Sequence, residues 1–103
     1  MSTVQHPDAA TSAPPVLRLA GELTVYHATE LKQALFPLPA GNAPVEIDLA
    51  NVSEIDTAGV QLLLLLRREA LALGRGVRLI ATAAAVDEAL KLLDLHSLFH
   101  QSA

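Results

Sequence analysis

Cysteine is absent from the 103-residue chain, which excludes disulfides, thiolate metal sites and a cysteine nucleophile. A small fold without such staples suits the cytoplasm. Basic residues are few: seven Lys and Arg stand against eleven Asp and Glu, a net charge of -4, which removes the general basic footprint of a nucleic-acid binder. There is no long apolar run. The leucines from Leu62 to Leu66 follow Gln61 and stop at Arg67 and Arg68, far short of the roughly 20 residues that cross a bilayer. The N-terminal MSTVQHPDAATSAPP has no positive cluster ahead of an apolar core, so no secretory signal is expected. Phosphate-cradling glycine loops are also missing. No GxxxxGK[ST] occurs, and Gly74-Arg75-Gly76 follows an expected helix instead of a strand. The histidines His6, His27, His96 and His100 have no ligand-like spacing with carboxylates, and neither a metal nor another cofactor is expected. Asp56 beside Thr57 has the look of a carboxylate activating a hydroxyl, but Asp is a weak base for that purpose and no third group is evident. No catalytic residue is assigned, and the chain does not read as an enzyme.

What is present is a globular composition, 51% hydrophobic and 17% charged, at a length that builds one modest core. Residues 1–15, rich in Ala, Ser, Thr and Pro, read as a flexible tail, residues 16–100 as a single domain and 101–103 as a short C-terminal tail. Val16 to Leu23 predicts a first strand with a turn or bulge at Gly21-Glu22. A helix over about Tyr26 to Phe36, capped by Thr24, is stopped by Pro37 and Pro39. Val45, Ile47 and Leu49 alternate with Glu46 and Asp48 and make the clearest strand, followed by a connection over Ala50 to Glu54. The Leu-rich helix runs to about Leu73 and ends at Gly74. VRLIA, from Val77 to Ala81, is the next strand. Thr82 can cap a helix from Ala84 to Leu93 with Val86, Ala89, Leu90 and Leu93 inward and an Asp87–Lys91 surface pair. Leu95 to Phe99 is a last edge strand or a turn. Alternating strands and helices predict a small α/β layered fold.

The stretch VEIDLANVSEIDTAGVQLLLLLRR organises this pattern. It carries a strand, a polar corner and a helix, with Thr57 where one hands over to the other. A hydroxyl there can cap free amides, and the same position favours a bound or covalent phosphate. Leu62 and Leu66 widen the apolar face of the helix beyond what a sheet requires. The excess either packs on a neighbouring helix or is offered to a partner.

On Leu19-Ala20-Gly21-Glu22-Leu23, Ile47-Asp48-Leu49 with Val52, and above all Ile55-Asp56-Thr57-Ala58-Gly59-Val60, the chain resembles the STAS domain family of anti-sigma factor antagonists and sulfate-transporter tails. The resemblance spans Val16 to Phe99. It implies a central mixed sheet of about four to five strands with helices packed mainly on one face. It also implies a phosphorylation-controlled binding module, with Thr57 as the phosphoacceptor of a partner serine/threonine kinase, release on phosphorylation and restoration by a phosphatase. Its partner surface maps to Glu22, Thr24, Tyr26, Asp56, Thr57, Ala58, Gly59, Gln61 and Leu62. Thr24 departs from the acidic residue that many antagonists carry at that place. Gly21 to Ala28 is also similar to single-domain STAS proteins found with chemotaxis arrays. A third branch, the cytosolic STAS subunit that binds the ATPase of a lipid-transport ABC system, has nearly the same corner, where the Thr contacts the ATPase without modification.

Overall fold

The structure, a computed structural model, describes residues 3–5 and 16–99. Four strands form one mixed sheet in the order β1-β2-β3-β4, with β1 (Thr3–Gln5) antiparallel to β2 (Val16–Leu23), and β3 (Val45–Ile55) and β4 (Val77–Thr82) parallel to it. Helices α1 (Ala28–Leu35), α2 (Thr57–Ala72) and α3 (Ala84–Leu92) follow the three parallel strands, and a 3-10 turn, His96–Phe99, comes last. The expected layered α/β fold is therefore observed.

One face of the sheet builds the core. Leu17, Leu19 and Leu23 of β2, Ile47, Leu49 and Val52 of β3 and Leu79 of β4 are buried against Leu31 and Leu35 of α1, Leu63 and Leu66 of α2, and Val86 and Leu90 of α3. The alternate strand positions carry charge instead: Arg18 pairs with Asp48 at 3.7 Å, and Arg78 with Glu46. Alternation of apolar and charged residues thus assigns the two faces, as period two requires.

Several elements differ from the expectations. Residues 3–5, assigned to a flexible tail, form the edge strand β1, while His6, His100 and residues 101–103 lie outside the described residues. Strand β3 continues to Ile55 through the stretch read as a connection, because its second half pairs with Ala20 to Leu23. Thr24 does not cap α1. That helix starts at Ala28 behind a turn in which the His27 amide donates to the Thr24 carbonyl at 2.9 Å. Nor does Thr82 cap α3, since its hydroxyl donates to the Asp87 carboxylate at 2.8 Å. Asp87 lies 3.5 Å from His96, and no Asp87–Lys91 salt bridge forms among the described residues. Leu93 is exposed instead of inward. The segment after α3 is the 3-10 turn and not a strand, with Phe99 buried.

Two glycines behave as expected. Gly21 sits at a positive φ of 83° beside a register shift in the β2–β3 pairing, where β3 carries the extra residue Ser53 opposite Gly21-Glu22, and Gly74 at φ 73° closes α2. Past it, the buried Arg75 guanidinium donates from Nε to the Ala43 carbonyl at 2.8 Å and from Nη1 to that of Pro39 at 2.5 Å. It pins the loop between α1 and β3.

Candidate functional site

The corner between β3 and α2 lies at the C-terminal end of the parallel strands. Asp56 has an extended backbone (φ -121°, ψ -171°) and is the N-cap of α2. Its Oδ1 accepts from the Gly59 amide at 3.1 Å, and its Oδ2 from the Val25 amide at 3.0 Å. The Asp56 amide in turn donates to the Leu23 carbonyl at 3.2 Å. One aspartate therefore closes the first turn of α2 and ties it to the turn after β2. The Val25 amide foremost, then those of Gly59 and Ala58, hold the Asp56 carboxyl below the usual aspartate range against the opposing effect of desolvation.

Gly59 is packing, not spare room. A Cβ there would stand 2.1 Å from the Leu23 carbonyl oxygen and 2.8 Å from Ile55 Cγ1. The absence of a side chain lets α2 descend onto the ends of β2 and β3.

Thr57 is the first residue of α2 and is exposed. It is not the cap, and among the described residues its hydroxyl has no hydrogen-bond partner. Of the other positions assigned to the partner surface, Tyr26 is 86% exposed and Gln61 is exposed, while Glu22, Asp56 and Ala58 are half-buried. Thr24, Gly59 and Leu62 are buried, with only 6% of Thr24 and 5% of Leu62 accessible. The exposed side chains of that predicted surface are thus those of Tyr26, Thr57 and Gln61. Leu62 and Leu66 turn into the core, so the extra width of the Leu-rich face is used internally.

Sequence reasoning missed the far side of Thr57. An apolar crevice of about 240 Å³ lies between the corner and the end of α3, lined by Ile55, Val60, Ala89, Leu92 and Leu93 together with Asp56 and Thr57. Leu92 is 86% exposed. The doublet Leu92-Leu93 was the available signal, because Leu92 falls outside the stripe of Val86, Ala89, Leu90 and Leu93.

A family model described as "Mlab, STAS domain" matches residues 6–100. The chain belongs to the STAS domain family. Its fold is similar to the crystal structure of an anti-sigma factor antagonist from Mycobacterium paratuberculosis, with a TM-score of 0.80 and 24% identity over 96% of this chain and 83% of that one. It is also similar to the anti-sigma factor antagonist SpoIIAA in its unphosphorylated form, with a TM-score of 0.69 and 22% identity over 98% of this chain and 88% of that one. At these identities the likeness is one of fold. This STAS domain has the charged sheet face, the register shifts between β2 and β3 and the Asp-capped corner in one small unit. No described helix is long and apolar enough to cross a membrane.

Proposed function

We propose that this STAS domain is a non-enzymatic partner-switching regulator. In the unmodified state the corner docks on a protein partner, and phosphorylation of Thr57 releases it. The observation that carries this reading is the division of labour at the corner: Asp56 makes the cap and the cross-strand tie, while the neighbouring hydroxyl is exposed and unbonded among the described residues. A phosphate can therefore be added without removing any bond that holds the fold. It would bring about -1.5 to -2 charges next to Asp56 and Glu54, and desolvating that charge against a surface fitted to a neutral Thr opposes docking. The partner class is an anti-sigma factor or a related serine/threonine kinase, with a phosphatase to restore binding. Chemotaxis signalling is one such setting. Action in the cytoplasm, without cofactor or nucleic acid, is part of the same proposal.

The Mlab description of the matching family model supports a second reading, in which an unmodified Thr57 contacts the ATPase of a lipid-transport ABC system. One experiment separates them. The native partner is captured on the wild-type chain, identified and purified, then titrated calorimetrically with unmodified and Thr57-phosphorylated protein. Switching predicts at least about tenfold weaker binding of the phosphoprotein, or about 1.4 kcal/mol, with Thr57→Ala keeping most of its affinity. Equal affinity of the two forms refutes the switch. An ATPase partner whose binding collapses with Thr57→Ala establishes the second reading.

A further inference from the structure

A furrow runs between α1 and α2 from the corner to the opposite end of the molecule. Near the corner it is about 260 Å³ in volume, between Ala28 and Thr29 on one side and Ala58 and Gln61 on the other. At the far end it opens to about 550 Å³, between Phe36 to Leu38 and the Ala72-Leu73 end of α2. Lys32 and Leu65 border both parts, which makes them one channel. Along α2 it extends from Ala58 to Leu73, about 22 Å at 1.5 Å per residue.

The lining is mostly apolar, and Leu73 at the far end is 63% exposed. Among the described residues two charged side chains border the channel: Lys32 of α1, which with Leu65 lines both parts, and Glu69 of α2, about one helical turn beyond Leu65. Neither forms an ion pair among the described residues. An apolar trough with one unpaired cation and one unpaired anion along its length is complementary to a surface carrying the opposite pair at the same spacing.

We propose that this channel receives one amphipathic helix of the protein partner, about four turns long. Its apolar stripe would lie on Leu65 and Leu73, with a carboxylate meeting Lys32 and, about one turn away, a cation meeting Glu69. A helix is favoured over an extended segment because both walls are helices. Their ridges accept a third helix at 8–10 Å, whereas they offer no free backbone groups to pair with a strand. A lipid or other anionic amphiphile would satisfy Lys32 and leave Glu69 facing like charge. A second copy of this chain has no four-turn apolar stripe to give: the exposed apolar residues of α3 are Leu92 and the adjacent Leu93, at the end of a helix of nine residues. The proposal rests on the docking role of the corner, where the channel begins. It adds the shape and charge order of what docks.

The probe is a stapled peptide of about 15 residues, with leucines at helical spacing and Glu and Lys one turn apart on the margin of the stripe. It is titrated into the isotope-labelled full chain and followed by amide chemical shifts. Saturable shifts are expected at Thr29, Lys32, Leu65, Glu69 and Leu73, and none at Ile80 on the open sheet face. The double variant Lys32→Glu with Glu69→Lys should bind about fivefold more weakly and recover when the peptide's charges are exchanged to match. Absence of saturation up to about 1 mM, shifts centred elsewhere, or indifference to the charge exchange overturns the proposal. So do channel shifts on dilution of the chain alone, which would make a second copy the occupant. Because the peptide assay does not involve Thr57 modification, failure here leaves the phosphorylation test standing, and failure of the switch leaves this one standing.

Discussion

Val25 and Asp56, 31 residues apart in sequence, are joined by a 3.0 Å hydrogen bond from the Val25 amide to Asp56 Oδ2, while Oδ1 of the same carboxylate caps α2. The turn after β2 and the start of α2 therefore move as one piece. That link predicts that Asp56→Ala lowers stability by about 2 kcal/mol, the upper range for loss of an N-cap, in denaturant titration. Amide exchange should quicken at both Val25 and Gly59. Acceleration at Gly59 alone would mean that the cross-strand tie is not energetically significant.

Thr57→Ala, one residue later, should change stability by less than about 0.5 kcal/mol, as for surface positions without structural bonds. The contrast between the two neighbours is the measurement. Equal losses would show that the Thr57 hydroxyl helps to hold the helix.

Acid should weaken the corner selectively. The Asp56 carboxyl titrates below its unfolded value, so its contribution is complete above the usual aspartate pKa and is lost as pH falls through the lower folded value. The stability gap between wild type and Asp56→Asn, followed by denaturant titration, should be widest at neutral pH and narrow through that acidic window. A gap independent of pH would contradict the assignment.

Gly59→Ala should be severe, at about 3 kcal/mol, the upper end for overpacking. The new Cβ would meet a backbone oxygen at 2.1 Å, and a main-chain atom in the sheet cannot swing aside. Thermal unfolding of the purified variant checks this, and a midpoint near wild type would show that α2 lifts freely from β2.

Asp87 offers a second titration, away from the corner. The Thr82 hydroxyl first, then His96, keep its carboxyl below the ordinary range. In carboxyl NMR titrations, Thr82→Val should raise the Asp87 pKa more than His96→Ala does. The reverse order would make the imidazole the stronger partner.

The alternation in β3, the stop at Pro37 and the glycine after α2 were legible because each follows from local chemistry. The end of β3 was not: Asn51 and Ser53 have turn character, but pairing with β2 overrides it. At the corner, the sequence offered an adjacent carboxylate and hydroxyl, either able to cap. Strand pairing through Ile55 places Asp56, and not Thr57, at the half-turn position. The bond from Val25 had no sequence signature, since it depends on where two strands end relative to each other. The fate of Leu62 was ambiguous for a related reason. A helix that touches both a sheet and another helix buries a wider arc than one contact requires.

The unequal lengths of β3 and β4 have a mechanical consequence. Beyond Leu49, which pairs with Thr82, strand β3 continues to Ile55 with β2 as its paired neighbour and no rung to β4. The corner thus stands on a cantilever fixed along one side. The Asp56–Val25 bond and the close approach of Gly59 to Leu23 hold it there in place of rungs to β4. A load applied at Thr57 is accordingly passed to β2 and α2 and not to β4.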